Sequence, residues 1–138
     1  MKLIIVANWK CNPTTLKEAE KLFNSLKKRL KSVRKVEVVI CPPFVYLSSF
    51  KFQVSSFRLG AQDCFWEDKG PYTGEVSPQM LKDMGCRYVI VGHSERRQVF
   101  KETDEMVNEK IKKILKTKLR PIFCIGETEE EKKAGKTF

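Results

Sequence analysis

The chain has 138 residues, 41% of them hydrophobic and 32% charged, which is typical of an ordinary globular domain. That length can bury a hydrophobic core, so the fold requires neither disulfides nor a structural metal. The first residues do not resemble a signal peptide, and no apolar run approaches the roughly 18 residues of a membrane span. We therefore predict a single cytoplasmic domain over residues 1–138, with no membrane partner.

The formal net charge of +10 raises the question of a nucleic-acid partner. The main concentrations of cations are residues 27–35 and 110–120, which hold 12 of the 27. Both lie in or just after helical patterns, and we interpret them as two solvated helix faces. No helix-turn-helix, ribonucleoprotein or zinc-finger motif accompanies them, so we expect no nucleic-acid partner. The five cysteines are widely spaced and the chain has one histidine, so we expect free thiols and no metal site.

Short apolar runs alternate with amphipathic segments along the chain. The runs predict five strands, at residues 3–7, 36–41, 57–61, 88–91 and 120–125. After the first strand, Thr15 and Glu18 form a capping-box pair. Apolar residues then recur at three- and four-residue steps and predict one buried helix face, formed by Leu16, Ala19, Leu22, Phe23, Leu26 and Leu30.

Further helix signals lie between the later strands. Pro42-Pro43 can open a helix after the second strand, and Ser77-Pro78 begins a short helix that Gly85 ends. A longer helix is marked by Val107, Ile111, Ile114 and Leu115, and Thr128 with Glu131 forms a second capping box. Continuously apolar strands separated by helices predict a parallel α/β sheet. The pattern fits an open doubly wound sheet and part of a (β/α)8 barrel equally well.

Polar residues follow the carboxyl ends of four predicted strands, where parallel α/β proteins build their sites. They are Asn8 and Lys10, then Gln62 and Asp63, then His93 and Glu95, and finally Cys124 and Glu127. If the strands are parallel, these residues share one rim of the sheet.

His93 is the candidate with the clearest chemistry. A short helix is predicted directly after it, and the positive helix end favours a neutral imidazole. A neutral imidazole can donate a hydrogen bond to a carbonyl oxygen and then move a proton. Lys10 supplies a fixed positive charge for an anionic substrate, and we expect Glu95 to hold Lys10 while the site is empty. The alternatives are a structural histidine and a surface ion-pair cluster at residues 95–97.

Four segments, in this order, resemble the triosephosphate isomerase family. They read VANWKCN (6–12), GAQDCFWEDKGPYTGEVSPQML (60–81), YVIVGHSERR (88–97) and PIFCIGET (121–128). The resemblance covers residues 1–138 and implies a (β/α)8 barrel. It also implies interconversion of dihydroxyacetone phosphate and D-glyceraldehyde 3-phosphate, in glycolysis and gluconeogenesis, without a metal or cofactor.

The resemblance implies roles for individual residues. Asn8 and Lys10 match the substrate-binding pair, His93 the electrophile that polarises the carbonyl, and Glu95 the acid beside it. Supporting positions are matched by Ser94, Cys124 and Gln62. A loop that docks into a partner subunit of a homodimer is matched by residues 65–75, including Phe65, Tyr72, Thr73, Gly74 and Glu75. Asp63 and Pro71 depart from the family pattern.

A barrel of this type needs about 250 residues. The family's glutamate base, its mobile lid and its glycine-rich phosphate loops match no segment of residues 1–138, and neither Glu95 nor Glu127 matches the base. We therefore expect the amino-terminal part of an isomerase, about five strands of an incomplete barrel, that works with a complementary carboxy-terminal chain. The alternative is a non-catalytic half-barrel that self-associates, or pairs with another chain, through residues 65–75 and its open sheet edges.

Overall fold

Five parallel strands form one sheet in the computed structural model, which describes residues 3–51, 53, 56–127 and 129–135. The strands are β1 (Leu3–Asn8), β2 (Val36–Cys41), β3 (Arg58–Ala61), β4 (Cys86–Val91) and β5 (Arg120–Phe123). Each strand pairs with the next one along the chain, in the order β1-β2-β3-β4-β5. A doubly wound sheet reverses its strand order, so the sequential order selects the barrel alternative. The prediction of five strands of an incomplete (β/α)8 barrel is confirmed.

Helices follow the strands and cover the outer face of the sheet. They are α1 (Leu16–Arg29), α2 (Phe44–Phe50), α3 (Pro78–Asp83), α4 (Ser94–Val99), α5 (Asp104–Lys116) and α6 (Glu129–Lys133), with a 3-10 turn at Leu30–Ser32. The predicted caps at Thr15 and Ser77 are present: the Thr15 hydroxyl accepts from the Glu18 amide at 3.3 Å, and Ser77 accepts from Met80. Thr128, of the second predicted capping box, lies outside the described residues.

The sheet has a core on each face. The larger core lies between the sheet and the helices, where the Phe23 ring stacks on Phe50 with a centroid separation of 4.0 Å. The smaller core lies on the inner face, the face that points into a barrel. It consists of Val39, Cys41, Tyr88 and Ile90, with Val6, Ile122 and Cys124 packed against them.

Gly60 allows β2 and β3 to approach closely on the inner face. A Cβ atom at this position would lie 2.6 Å from Cys41 Sγ and 2.8 Å from a Val39 methyl carbon. These separations are far below a van der Waals contact, so no larger residue fits without displacing β2 side chains.

Some predicted details are wrong. The fifth strand ends at Phe123 rather than at residue 125, and Ile125 is 82% exposed. On α1 and α5 the buried stripe is narrower than predicted, because Leu16, Leu22 and Leu115 are exposed. A helix that covers one face of a curved sheet buries only its central stripe, so the flanking apolar residues remain in solvent.

The two outermost strands carry exposed apolar side chains. Leu3 and Ile5 of β1 are 67% and 50% exposed, and Phe123 of β5 is 49% exposed. Within the described ranges, no strand pairs with the outer side of β1 or β5. In the same ranges, no helix is both long and apolar enough to cross a membrane.

Candidate active site

A cavity of about 170 Å³ opens at the carboxyl ends of the strands. The side chains around it are Asn8, Lys10, Cys11, Phe44, Gln62, Asp63, His93, Glu95, Arg96 and Phe100. The structure therefore brings together five of the predicted site residues: Asn8, Lys10, Gln62, His93 and Glu95. Ser94 and Cys124 do not line this cavity; Ser94 begins α4, and Cys124 follows β5.

Lys10 adopts a backbone conformation that few non-glycine residues adopt. Its φ is 55°, and side chains from two other positions hold it there. Asn8 Oδ1 accepts from the Lys10 amide at 2.9 Å, and Gln62 Nε2 donates to the Lys10 carbonyl oxygen at 2.9 Å. Gln62 also donates to the Cys41 carbonyl oxygen at 2.8 Å, which ties this loop to the end of β2. A strained backbone that is held in this way is common at functional sites.

An ion pair crosses the mouth of the cavity. Lys10 Nζ lies 2.6 Å from Glu95 Oε1. The hydrogen bond from Lys10, and then its positive charge, hold the pKa of Glu95 below the usual carboxyl range. About half of each side chain remains exposed, so the pair can open to admit an anion.

His93 stands at the junction between β4 and α4. It is the N-cap of α4, and its Nδ1 accepts from the Glu95 amide at 3.3 Å. Glu95 Oε2 lies 3.6 Å from the same nitrogen, beyond hydrogen-bond range, so we assign the contact to the amide. Because Nδ1 uses its lone pair as an acceptor, the ring proton of neutral His93 sits on Nε2. The imidazole can therefore donate through Nε2 to a substrate oxygen.

Arg97 fixes the turn that carries His93. Its Nε donates to the Gly92 carbonyl oxygen at 3.0 Å, and one terminal nitrogen lies 2.7 Å from Asp104 Oδ1 at the start of α5. Cys124 borders this turn, where its amide donates to the Val91 carbonyl oxygen at 3.0 Å. Burial raises the pKa of the Cys124 thiol, while the positive charge of Arg97 opposes that change.

A buried ionic cluster lies directly behind the cavity. Lys110 Nζ contacts both Asp63 oxygens, at 2.7 and 2.9 Å, and also bonds to Glu102. Arg96 lies 2.9 Å from Asp63 Oδ2 and so joins the cluster to the cavity wall. We call these four residues the ionic cluster. Desolvation by burial raises the pKa of Asp63, and the charge of Lys110 opposes that effect.

Sequence reasoning missed this cluster, because it placed Lys110 on a solvated helix face. That interpretation is wrong for Lys110, which is only 4% exposed. A signal was present: Lys110 follows Val107 by three residues and precedes Ile114 by four, so the three share the buried face of α5. A lysine on such a face needs a buried carboxylate partner, and Asp63 is one.

The segment 65–75 lies outside the cavity. Its Phe65 ring packs against Tyr72 with centroids 4.7 Å apart, and the Phe65 amide donates to the Val76 carbonyl oxygen at 2.9 Å. Tyr72, Thr73, Gly74 and Glu75 are exposed. The loop is thus closed at its base and presents its tip to solvent.

Comparison with known proteins places the chain in a family. The profile of the family described as "Triosephosphate isomerase" matches residues 3–138. A relative named triosephosphate isomerase from Alkaliphilus oremlandii is 52% identical over 139 residues, covering 99% of this chain and 55% of the relative. Relatives of the same name from Dictyoglomus turgidum and Aquifex aeolicus are 49% and 46% identical, with 97% and 100% of this chain covered.

The chain spans about half the length of the curated relatives it matches; the shares of the three are 54%, 55% and 56%. The match runs through all five strands and through every residue of the cavity described above. The chain belongs to the triosephosphate isomerase family.

Proposed function

We propose that this chain supplies one side of a triosephosphate isomerase site, which interconverts dihydroxyacetone phosphate and D-glyceraldehyde 3-phosphate. The observation that carries the proposal is the placement of Lys10, His93 and Glu95 around one cavity, with Nε2 of His93 as donor. Lys10 attracts the phosphorylated substrate, and Asn8 and Gln62 hold the backbone from which its side chain extends.

The proposed chemistry uses His93 as an electrophile. As a base removes the carbon-bound proton of the substrate, negative charge develops on the carbonyl oxygen. Nε2–H of His93 donates to that oxygen and then moves a proton between the two substrate oxygens. The Glu95 amide keeps Nδ1 engaged, so the donating nitrogen is fixed throughout.

The base comes from another part of the barrel in this proposal. Two carboxylates line the cavity, Asp63 and Glu95, and both are already ion-paired. Glu95 is bound by Lys10, which lowers its pKa and weakens it as a base. Asp63 is buried in the cavity wall and contacts Lys110. We therefore infer that the carboxy-terminal strands bring the base, within a cytoplasmic enzyme of glycolysis and gluconeogenesis.

A different class of function is favoured by one observation. The apolar side chains exposed on β1 and β5 suit a non-catalytic half-barrel that assembles through its open sheet edges. Segment 65–75 suits a second contact, between two copies in a homodimer, because its tip is exposed. Sedimentation velocity measures this alternative directly: a stable homo-oligomer that ignores an added carboxy-terminal chain favours the assembly module.

The experiment mixes this chain with the carboxy-terminal part of the Alkaliphilus oremlandii relative, the part that this chain does not match, expressed separately. We expect the two to co-purify and to show isomerase activity in a coupled assay. Lys10→Met removes the charge that attracts phosphate, so we expect kcat/KM to fall by about tenfold or more. The matched control is Lys17→Met, an exposed lysine of α1. Equal rates for the two variants would contradict the role of Lys10.

A further inference from the structure

The candidate active site has two parts, built on different elements, that must stay aligned. One part is formed by the loops after β1 and β3 and includes Lys10; the other is the start of α4 and includes His93. Among the residues that the structure describes, two side-chain ion pairs join these parts: Lys10 with Glu95, and Asp63 with Arg96. The first pair is half exposed and can open to admit an anion, so the second is the ion pair that persists when the site is occupied.

The second pair is buried on its carboxylate side. Asp63 is 5% exposed, and its Oδ2 lies 2.9 Å from a terminal nitrogen of Arg96. Lys110 contacts both Asp63 oxygens, at 2.7 and 2.9 Å, and so fixes the orientation of the carboxylate. A charge-assisted hydrogen bond is stronger where water is excluded. All these contacts are made within residues 63–110, and the carboxylate is already buried there, so the pair does not depend on any further strand of a barrel.

Arg96 is tied to His93 through the backbone. The Arg96 amide donates to the His93 carbonyl oxygen at 2.9 Å, which closes the first turn of α4. From the other side, the Arg96 carbonyl oxygen accepts from the Glu102 amide at 3.2 Å, and Arg96 Nε lies 3.4 Å from Glu102 Oε1. A helix of six residues has too few internal hydrogen bonds to be stable without outside contacts. The anchored guanidinium therefore helps to set where this turn lies.

The hydrogen bond that keeps the His93 proton on Nε2 depends on the position of the turn. His93 Nδ1 accepts from the Glu95 amide at 3.3 Å, which is long for such a bond, so a small displacement breaks it. Glu95 Oε2 lies 3.6 Å from the same nitrogen. Once the amide no longer donates, that carboxylate favours a proton on Nδ1. The neutral ring then presents a lone pair at Nε2 and cannot donate to a substrate oxygen.

We propose that Asp63 and Arg96 are positioning residues of the isomerase site: their ion pair holds the first turn of α4, keeps the Glu95 amide on His93 Nδ1, and so keeps the donating proton on Nε2. The use of that proton rests on the isomerase function proposed above, whereas the tautomer itself exists without substrate. Both residues act through His93 and need no contact with the reacting atoms.

The test reads the tautomer of His93 directly. The chain has one histidine, so labelling histidine with 15N gives signals from a single imidazole. They are recorded at a pH at which the ring is neutral, on the 138-residue chain alone and with the unlabelled carboxy-terminal part of the Alkaliphilus oremlandii relative, which adds no signal. We expect the Nε2–H tautomer in the native chain and a shift towards Nδ1–H in Arg96→Gln.

Two further variants test whether the residues act as a pair. Arg96→Lys keeps the charge but loses the fork that reaches both carboxylates, so it should restore part of the native signal. Asp63→Asn should shift the tautomer in the same direction as Arg96→Gln. Combining Asp63→Asn with Arg96→Gln should add little to the shift of the single variants, because both remove the same interaction.

A destabilised control separates positioning from stability. Ile114→Val removes one methyl group from the apolar core beside the carboxy-terminal half of α5, so it should lower the urea midpoint without moving the His93 tautomer. In the mixture, Arg96→Gln should lower kcat by about 10- to 100-fold, because the electrophile is misplaced, whereas Ile114→Val should keep the native kcat. If Arg96→Gln does not fold, Arg96→Lys and Asp63→Asn give the same test. An unshifted tautomer in the Arg96 and Asp63 variants, or an equal shift in Ile114→Val, would overturn the proposal.

The positioning pair and the isomerase function fail in different ways. A native mixture without isomerase activity, together with a tautomer that shifts in Arg96→Gln, contradicts the proposed function and supports the pair. An active native mixture, together with a tautomer that does not respond to Arg96→Gln, contradicts the pair alone.

Discussion

Lys10 Nζ lies 2.6 Å from Glu95 Oε1, although the two residues are separated by 85 positions in sequence (95 − 10) and belong to different elements. Lys10 follows β1, and Glu95 lies in the first turn of α4. The sheet order places β1 and β4 at a distance of three strands, so the curl of the sheet brings them face to face across the cavity. The curl of the sheet is therefore what forms the Lys10–Glu95 ion pair.

Glu95→Gln removes the charge that holds Lys10. We expect the urea midpoint to stay unchanged, because the pair is half exposed and such pairs add little stability. In the complemented enzyme we expect kcat/KM to fall by about tenfold or more, since Lys10 loses its fixed position. The pKa of Glu95 lies below its ordinary value, so Glu95 is charged and paired with Lys10 at any pH above that ordinary pKa. The pair is lost as the pH falls through the lowered pKa. Glu109→Gln, which breaks an exposed pair with Lys112, is the control and should leave activity unchanged.

Gly60→Ala tests the close approach of β2 and β3. The added Cβ would lie 2.6 Å from Cys41 Sγ, so we expect a loss of about 1–3 kcal/mol in the free energy of unfolding. Gly126→Ala is the matched control, because no atom lies within 4 Å of a Cβ built there. In the Gly60→Ala background, Cys41→Ala should be less destabilising than in the native chain, because it removes the colliding sulfur. Urea unfolding measures all four, and equal losses at both glycines would refute the steric account.

Lys110→Met tests the ionic cluster. Removing the lysine leaves the buried carboxylates of Asp63 and Glu102 with Arg96 as their remaining cation, and a broken buried pair is commonly worth about 3–5 kcal/mol of stability. Lys112→Met removes a neighbouring exposed lysine of the same helix and should change the free energy of unfolding by less than about 0.5 kcal/mol. Chemical denaturation of both variants measures the two changes in the free energy of unfolding. A small effect at Lys110 would mean that water reaches the two carboxylates.

The buried thiols predict the response to alkali. Burial is the main cause that raises the pKa values of Cys41, Cys64 and Cys86 to about 12. In the unfolded chain these thiols ionise near their ordinary value, so the stability they contribute is complete below about pH 9 and is lost as the pH rises towards 12. Each one lowers the free energy of unfolding by about 1.4 kcal/mol per pH unit in that window. Urea titrations at stepped pH measure the slope, and Cys64→Ala should reduce it whereas Cys11→Ala, at an exposed position, should not.

The parts of the fold that could be predicted depend on local signals. The Thr15 cap and the apolar runs of β2 and β4 depend on neighbours a few residues away, and the structure reproduces them. The placement of polar residues on one rim follows from parallel strands alone. The sequential strand order cannot be predicted from this pattern, because doubly wound sheets are built from the same alternation of strands and helices.

The ionic cluster could not be predicted from local signals in the same way. Asp63 and Lys110 are 47 positions apart, and the packing of α5 against β4 and β5 brings Lys110 to Asp63, which follows β3. The ion pair between Glu37 and Arg58 was missed for a related reason. Glu37 and Arg58 interrupt or precede apolar strands, and their shared face depends on the register between β2 and β3, where Val39 lies opposite Arg58.

One measurement tests the central claim most directly: a coupled isomerase assay of this chain, alone and mixed with the carboxy-terminal remainder of the Alkaliphilus oremlandii relative. Native chain and His93→Asn are compared in both conditions. We predict activity only in the mixture, with a fall of about 10²–10⁴-fold for His93→Asn, because asparagine cannot move the proton. Activity of the native chain alone that disappears in His93→Asn would contradict the account, since the base would then lie within these residues. An unchanged rate for His93→Asn in the mixture would contradict the role of His93 itself.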